Sequence, residues 1–353
     1  MNNRIVSIKE KIIRNERLDM DDGLFLLREM DFLTLAELAN QKRFEHHPDN
    51  IVTYVVDRNI NYTNVCVSGC RFCAFYKVPG SEEGYVLSHE TLAEKINETL
   101  ALGGTQILLQ GGMHPDLELS FYTQMLEFIK ANFDIHIHGF SPPEIHFLAH
   151  KSGLQVKEVI KILKDSGLSS IPGGGAEILC DEIRQQVSPN KCGAMEWLAV
   201  MRQAHLLGMR SSATMMFGHL EKDIHLLKHM ERIRALQDET GGFTAFIPWT
   251  FQPDNTRIRV DRTTSAEYLR VLALSRVFLD NIDNIQASWV TQGDKIAQAA
   301  LFFGANDMGS TMIEENVVAS AGVDFMLPRE ELTRLILEAG FEPRQRDCYY
   351  NLI

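Results

Sequence analysis

Long apolar runs are missing from this sequence of 353 residues. No stretch approaches the ~20 consecutive apolar residues that a membrane-spanning helix needs. Charged residues also interrupt the first ten positions, Met1 to Glu10, before the apolar core of a signal peptide can form. We therefore expect a cytoplasmic protein with no membrane partner. In that reducing compartment the six cysteines do not predict a disulfide framework.

Positive charge is scarce as well. Lys and Arg number 35 against 47 Asp and Glu, which gives a net charge of −12. Nucleic-acid binding depends on neutralising phosphates, so an acidic chain with no basic run predicts no nucleic-acid partner. Low-complexity linkers are missing between residues 51 and 320, while hydrophobic residues make up 45% of the chain. These features are typical of a folded globular protein and exclude a disordered or fibrous chain.

The order of apolar segments predicts the architecture. Residues 1–48 have helical spacing and charge, which indicates an N-terminal helical extension before a barrel domain at 49–353 with C-terminal elements. In the second part, predicted strands alternate with amphipathic helices, as in parallel α/β folds. The predicted strands are 51–56, 106–110, 134–138, 168–171, 212–217, 243–249 and 284–290, with a short eighth at 305–311. The predicted helices are 90–102, 119–132, 156–165, 194–207, 224–240, 266–280 and 295–303. We predict a (β/α)-barrel, with a doubly wound open sheet as the alternative.

Three of the cysteines are grouped. Cys66, Cys70 and Cys73 have the spacing C-x3-C-x2-C after the first predicted strand. Thiolates suit iron–sulfur clusters and zinc. A four-iron cluster normally takes four cysteines, so three leave one iron open to a small molecule. Zinc is the alternative, but a structural zinc site needs a fourth ligand nearby, and the next candidate downstream is His89. Three unliganded cysteines are the remaining alternative. The other cysteines are scattered, at Cys180, Cys192 and Cys348.

With an aromatic residue, Phe72, directly before Cys73, this segment resembles the cluster loop of the radical S-adenosylmethionine superfamily. The resemblance implies a barrel of that type and a [4Fe-4S] cluster held by Cys66, Cys70 and Cys73. It also implies that the open iron binds S-adenosyl-L-methionine, whose reductive cleavage releases a 5′-deoxyadenosyl radical. An external one-electron reductant such as flavodoxin or ferredoxin is implied as a partner.

Residues at other strand ends extend the resemblance. Gly111 and Gly112 resemble the glycine pair that contacts the methionine part of the cofactor, although paired glycines are also common in plain turns. Glu177, after a run of three glycines, is placed to accept hydrogen bonds from ribose hydroxyls. Met216 and Gly218 partly match the adenine-binding motif of the superfamily, whose first glycine is replaced here. The resemblance thus implies cofactor contacts at four strand ends.

Roughly residues 50–345 resemble one branch of the superfamily, the menaquinone enzymes of the futalosine pathway and the deazaflavin (F420) synthases. Within it, residues 55–64, 246–253 and 304–316 are most similar to the enzymes that cyclise dehypoxanthine futalosine. That similarity implies hydrogen abstraction from C4′ of the substrate ribose and radical addition to its benzoate ring, followed by loss of a proton and an electron. Aminofutalosine synthase and deazaflavin synthase are the alternatives within the branch. An iron–sulfur electron carrier without turnover is the alternative from another class.

Several side chains are candidates for handling the substrate. His136 and His138 alternate on one face of a predicted strand, and His138 lies at its carboxyl end, where ligands bind in barrels. His138 and Glu144 are candidates for the base that takes the ring proton, with His114 and His219 as alternatives, while His136 is expected to be a core residue. Trp249 offers a flat wall for an aromatic substrate. A separate pair, His225 and His229, is predicted to lie on a solvated helix face.

Overall fold

The computed structural model describes residues 2–323 and 327–353. Three helices precede the barrel: α1 (Asn2–Ile13), α2 (Met20–Arg28) and α3 (Phe32–His46). Helix α2 begins at a capping box in which Asp19 accepts the backbone N–H of Asp22. Buried apolar residues of all three helices belong to the same core as the barrel. The predicted division into residues 1–48 and 49–353 stays a prediction.

Short, mostly buried strands form the barrel, in agreement with most of the predicted positions. In the described residues the strands are β1 (Ile51–Val55), β2 (Asp57–Asn61), β3 (Gln106–Gln110), β4 (His136–Gly139), β5 (Ser170–Ile171), β6 (Arg210–Phe217), β7 (Phe243–Thr250), β8 (Asn284–Ile285), β9 (Asp307–Ser310) and β10 (Glu342–Gln345). Strands β2 to β8 lie side by side in chain order, and every pair is parallel. This order is that of successive right-handed β–α–β units.

Helices follow most of these strands. They are α4 (His89–Ala101), α5 (Leu119–Asn132), α6 (Pro142–Ser152), α7 (Val156–Ser166), α8 (Asp181–Val187), α9 (Ala194–Leu206), α10 (Asp223–Thr240), α11 (Ser265–Phe278), α12 (Trp289–Gln292), α13 (Asp294–Ala300), α14 (Asn316–Ala319) and α15 (Arg329–Glu338). Helix α4 shows local control of such boundaries, because Ser88 caps its first turn and Gly103 follows it with φ +81°. Across the described part of the chain, no helix is both long and apolar enough to cross a membrane.

Backbone hydrogen bonds close the sheet into a ring. Next to β8, Ala287 donates its N–H to the carbonyl of Asp307 at 2.9 Å, and in β1 Thr53 donates to Asn306 at 3.0 Å. Strands β1 and β2 are consecutive and separated only by Val56, so β9 connects β8 back to the start of the sheet. The predicted barrel is therefore confirmed, and the open-sheet alternative is wrong.

The amino-terminal end of the barrel is covered by residues 346–353, called here the floor segment. Strand β10 leads into it and pairs with β1. The guanidinium of Arg346 then contacts the carboxylate of Asp307 at 2.6 and 3.0 Å, with both side chains buried. Farther along, the Tyr349 hydroxyl donates to the carbonyl of Ser169 at 3.2 Å. The floor segment thus connects β9 to the start of β5.

Some predicted elements differ from the structure. The strand predicted at 284–290 ends at Ile285, and its apolar end is buried in α12 instead, because a short apolar run does not distinguish a strand from a buried helix. Strand β2 was missed because its sequence is polar, although all five residues are buried. His225 and His229 do not lie on a solvated face. Both are buried, because this face of α10 packs against the barrel: His229 Nδ1 accepts the N–H of Leu179 at 3.0 Å, and the His229 ring lies 6.0 Å from that of Phe246.

Candidate active site

The grouped cysteines lie in the segment that follows β2, residues 62–76, called here the cluster loop. Cys66 and Cys70 are buried, and Cys73 is half-buried. The Ser68 hydroxyl lies 2.9 Å from Cys66 Sγ and 3.3 Å from Cys70 Sγ. Met113, next to the glycine pair, donates its N–H to Cys66 Sγ at 3.3 Å. The loop therefore holds the sulfur atoms at the carboxyl end of the barrel, on the ring of strand ends where ligands bind.

The spacing of the three sulfur atoms decides between zinc and a larger cluster. Zinc–sulfur bonds of about 2.3 Å in a tetrahedral site place ligand atoms roughly 3.8 Å apart. Among the described residues, three such ligand atoms within 4.8 Å of one another occur only at His136, His138 and Cys348. The three cluster-loop sulfur atoms therefore do not all lie within 4.8 Å of one another. A three-thiolate donor set with at least one pair farther apart than that fits a multi-iron cluster with an open position better than a single zinc ion.

One cation, Lys191, lies beside the cluster loop, and sequence reasoning missed it. Its Nζ lies 2.8 Å from Glu177 Oε1 and 5.1 Å from the centre of the Phe72 ring. Burial raises the pKa of the Cys70 thiol to about 11, while the charge of Lys191 lowers it. Lys191 therefore favours the thiolate form that a metal cluster needs. Nothing in its local sequence marks it, because it reaches the site from the turn between α8 and α9.

The glycine pair after β3 is packed against the cluster loop. A Cβ on Gly112 would lie 2.1 Å from the carbonyl oxygen of Val65, and a Cβ on Gly111 would lie 2.5 Å from the Tyr62 ring. Gly112 also donates its N–H to the carbonyl of Thr63 at 3.0 Å. Only glycine allows this approach, so the pair fixes the position of the loop that carries the cysteines.

The turn after β5 carries Glu177 in a left-handed conformation, with φ +40°. Such strain in a non-glycine residue is held by its surroundings and is common at functional sites. Burial alone would raise the pKa of Glu177, but Lys191 and Arg184 outweigh it and place the pKa below its ordinary value. The carbonyl of Glu177 accepts the N–H of Met216 at 3.0 Å, which joins the turn to the end of β6. Glu177 is therefore an ionised acceptor beside the cluster loop.

Met216 and Gly218, the other predicted cofactor contacts, lie at the end of β6. The Met216 side chain is buried in the core. Gly218 has φ +89°, and a Cβ there would lie 1.9 Å from the Thr263 hydroxyl. Its N–H donates to Glu221 at 2.5 Å. The backbone of this segment therefore lies near Glu177. The Met216 side chain itself is packed in the core and is not exposed at the candidate site.

A cavity of about 290 Å³ occupies the barrel interior. Its walls include two indoles, Trp249 and Trp289, and the polar side chains of His138, Gln106 and Asp57. Gln106 Nε2 donates to Asp57 at 2.7 Å, which fixes the amide, while Gln106 Oε1 is buried without a partner. A buried acceptor without a donor is costly, so a ligand that donates a hydrogen bond there is favoured. Sequence reasoning missed Gln106.

The two predicted bases lie in different surroundings. His138 lines the cavity, and burial lowers its pKa to about 3, so the imidazole is neutral at physiological pH. Glu144 is absent from the cavity wall and accepts hydrogen bonds from Tyr62 at 2.6 Å, Gly111 at 3.0 Å and Ser141 at 2.8 Å. It completes the capping box of α6. The structure therefore places His138 at the cavity and gives Glu144 a supporting role under the glycine pair.

Two family models match consecutive parts of the chain. Residues 60–233 match the model of the radical S-adenosylmethionine superfamily. Residues 240–353 match the model described as the CofH/MqnC C-terminal region. Among solved structures, the fold is similar to the hydrogenase maturase HydG from Carboxydothermus hydrogenoformans, with a TM-score of 0.77 at 16% identity over 99% of this chain and 81% of that one. Methylornithine synthase (PylB) matches with a TM-score of 0.71 at 16% identity over 95% and 97% of the two chains. These structures show the fold alone.

Sequence relatives are much closer. Cyclic dehypoxanthine futalosine synthase of Halalkalibacterium halodurans is 45% identical over 99% of this chain and 95% of its own length. The Streptomyces coelicolor protein of the same name is 40% identical over 97% and 87%. 5-amino-6-(D-ribitylamino)uracil–L-tyrosine 4-hydroxyphenyl transferase of Methanocaldococcus jannaschii is also 40% identical, over 96% and 98%. Together with the cluster loop and the barrel, these similarities identify the chain as a radical enzyme that belongs to the radical S-adenosylmethionine superfamily.

Proposed function

We propose that this enzyme converts dehypoxanthine futalosine to its cyclic product in menaquinone biosynthesis. The observation that carries the proposal is the cavity of about 290 Å³ that reaches the carboxyl end of the barrel at Gln110 and Gly174 and is walled by two indoles. The identity of 45% to a relative of that name over nearly its whole length supports the same substrate. In this reaction hydrogen leaves C4′ of the ribose, C4′ bonds to the benzoate ring, and the ring then loses a proton and an electron.

The cofactors follow from the family and from the donor set. Cys66, Cys70 and Cys73 are the proposed ligands of a [4Fe-4S] cluster. Bound together, the cluster and S-adenosyl-L-methionine supply a 5′-deoxyadenosyl radical. The ionised carboxylate of Glu177 is proposed to accept hydrogen bonds from the ribose hydroxyls of the cofactor. The neighbouring ammonium of Lys191 favours the ionised form of that carboxylate. Other proposed cofactor contacts are Phe72, Gly111, Gly112, Met216 and Gly218.

The protein positions the substrate and keeps water out. Trp249 and Trp289 provide flat apolar walls for the benzoate ring, and Gln106 Oε1 is an acceptor for a ribose hydroxyl. Holding the ribose and the arene in contact pre-organises the two reacting carbon atoms, which lowers the entropic cost of ring closure. His138, neutral and on the cavity wall, is the proposed base for the ring proton. Glu144 lacks a free oxygen facing the cavity and is left out of the proposed base.

The test is anaerobic reconstitution with iron and sulfide, followed by mass spectrometry of the products. A low-potential donor such as reduced flavodoxin or ferredoxin is the proposed electron source. With dehypoxanthine futalosine, we expect equal amounts of 5′-deoxyadenosine and cyclised product. Formation of 5′-deoxyadenosine with tyrosine and 5-amino-6-(D-ribitylamino)uracil instead would assign the activity named for the Methanocaldococcus jannaschii relative. Product formation from the substrate of aminofutalosine synthase would assign that enzyme. If no 5′-deoxyadenosine forms with any of these substrates, the remaining interpretation is an iron–sulfur electron carrier.

A further inference from the structure

A row of four hydrogen-bonded side chains runs from the cavity to the floor of the barrel. Ser212 Oγ, on the cavity wall, lies 3.3 Å from His138 Nε2. The other nitrogen of that ring, His138 Nδ1, lies 2.6 Å from Ser170 Oγ. Ser170 Oγ in turn lies 2.7 Å from His136 Nε2. Strands β4, β5 and β6 thus contribute one continuous chain of exchangeable protons.

The two ends of this row have different access. Ser212 and His138 line the cavity, whereas His136 does not. His136 is half-buried at the amino end of β4, and its ring meets the exposed ring of Tyr349 edge-on at 5.0 Å. Between them, Ser170 is 1% exposed. The row therefore connects a water-poor reaction space to the protein surface through the floor segment.

We propose that these residues form a proton relay that removes the ring proton from the substrate: His138 accepts a proton at Nε2 by way of the Ser212 hydroxyl, and Ser170 passes a proton from His138 Nδ1 to His136. This proposal rests on the proposed function. The ring carbon loses its hydrogen as a proton, and the accompanying electron leaves to a one-electron acceptor of the flavodoxin or ferredoxin class. Loss of both restores the aromatic ring, and the proton leaves from His136 to water.

Each side chain in this row is suited to passing a proton on rather than to holding it. A serine hydroxyl accepts one proton while it donates another, so Ser170 can serve both imidazoles at once. Burial lowers the pKa of His138 to about 3 and that of His136 to about 4, so both rings are neutral at physiological pH. The charged neighbours are Arg346, which lowers the pKa of His138, and Asp347, which raises that of His136. A proton accepted at the cavity therefore moves on to the end of the row that is open to solvent.

The same place offers a metal site as the competing explanation. One ligand atom each from His136, His138 and Cys348 lies within 4.8 Å of the others. However, Ser170 Oγ already contacts both imidazoles and lies 3.3 Å from Cys348 Sγ. The nitrogen atoms that an ion needs are occupied by a hydroxyl, which favours the relay.

The first experiment is Ser170→Ala with Ser169→Ala as the matched control. Ser169 is the adjacent residue, and its hydroxyl contacts only backbone groups of Ile137 and Gly167. In Ser170→Ala we expect 5′-deoxyadenosine at the parent level but cyclised product lowered about tenfold or more. Samples frozen during turnover should contain a substrate-derived organic radical that is visible by electron paramagnetic resonance. Ser169→Ala should match the parent in all three measurements, and Ser170→Thr should recover most of the product.

The second experiment uses the protein without substrate or reductant. Nitrogen-15 spectra of the imidazoles report which ring nitrogen carries hydrogen. Ser170→Ala should shift the signals of His136 and His138 together, whereas Ser169→Ala should move neither. Parent-like cyclisation by Ser170→Ala overturns the relay. A divalent metal that remains at one per chain in a variant lacking Cys66, Cys70 and Cys73, but is lost on Cys348→Ala, overturns it in favour of a metal site. If the parent makes 5′-deoxyadenosine but no cyclised product, the proposed function fails, and the nitrogen-15 result still tests the hydrogen-bonded row.

Discussion

The two ends of the barrel are built in different ways. At the carboxyl end, the three cysteines lie together on one short segment and the two glycines on another, although the two segments are 47 residues apart where Met113 meets Cys66. At the amino end, the floor depends on partners far apart in the chain, such as Arg346 with Asp307 and Cys348 with Ser170. The carboxyl end carries the proposed ligands of a cluster, whereas the floor carries buried charge and the proposed relay. The proposed cluster ligands are thus marked by a local sequence motif, whereas the residues of the floor are single positions scattered along the chain.

Replacing a cysteine of the cluster loop gives the largest expected effect. Cys70→Ser should remove bound iron and abolish 5′-deoxyadenosine formation, because the open cluster has no spare thiolate ligand. Cys180→Ser is the control, since Cys180 is also buried and, within the described residues, its thiol has one hydrogen-bond partner, the backbone carbonyl of His225 at 4.0 Å. Iron analysis and the visible absorption spectrum measure the result. Stoichiometric zinc without iron in anaerobically purified parent protein would contradict the cluster assignment.

Breaking the buried ion pair of the floor should have the next largest effect. Arg346→Met leaves the Asp307 carboxylate buried without its cation, and loss of one partner of such a pair costs about 3–5 kcal/mol. The measurement is the free energy of unfolding in urea. Arg334→Met is the control, because Arg334 forms exposed ion pairs with Glu331 and Glu338 and should leave stability unchanged. Equal effects of the two variants would mean that the floor is not a stabilising element.

Crowding the glycine pair should have a smaller effect on stability but a specific effect on the cluster. Gly112→Ala places a Cβ against the Val65 carbonyl, and such overpacking costs about 1–3 kcal/mol. Because the backbone of the cluster loop must move, the iron content per chain should fall by a large fraction while the melting temperature falls only slightly. Gly153→Asn is the control, since its site has open space and a left-handed conformation that asparagine tolerates. Normal iron content in Gly112→Ala would show that the glycine pair does not determine the position of the cluster loop.

Acid should weaken the protein gradually through buried histidines. Burial lowers the pKa of His138 to about 3 and of His205, outside the barrel, to about 4. Below the ordinary pKa near 6.5 the unfolded chain binds protons that the folded chain does not, so stability falls as pH falls from 6.5 towards 4. Each such histidine contributes at most about 1.4 kcal/mol per pH unit. Urea titrations at several pH values should show a flatter dependence in His205→Gln. An unchanged slope would contradict the burial argument.

The sequence predicted the carboxyl end of the barrel far better than the floor. The barrel and most strand positions are confirmed, because alternating strands and helices are a local signal. The cysteines resembled a known loop for the same reason. Lys191 and Gln106 were missed because neither belongs to a sequence motif, and only the folded chain brings each of them to the site. His136, expected to be a core residue, lies half-buried beside the floor segment. The individual cofactor contacts stay predictions.

Glu144 shows a further limit of sequence reasoning. Its position after a strand end suggested a catalytic carboxylate, but a helix start also attracts a carboxylate three residues after a serine. In the structure the carboxylate contacts Tyr62 and Gly111, which supports the capping role, and the catalytic role stays a prediction. Those contacts depend on β2, a strand whose polar sequence hid it. Polar residues that face the barrel interior therefore limit both fold and site prediction.

The late position of the floor in the chain has a consequence for biosynthesis. Residues 342–353 supply β10 and the floor segment, and they leave the ribosome after every other strand. Until then Asp307 lacks its cation, and the lower end of the cavity is open to water. The cluster loop, β3 and the glycine pair emerge much earlier, so their folding does not have to wait for the floor. The order of synthesis therefore allows the cluster loop and the glycine pair to fold before the floor closes the lower end of the reaction chamber to water.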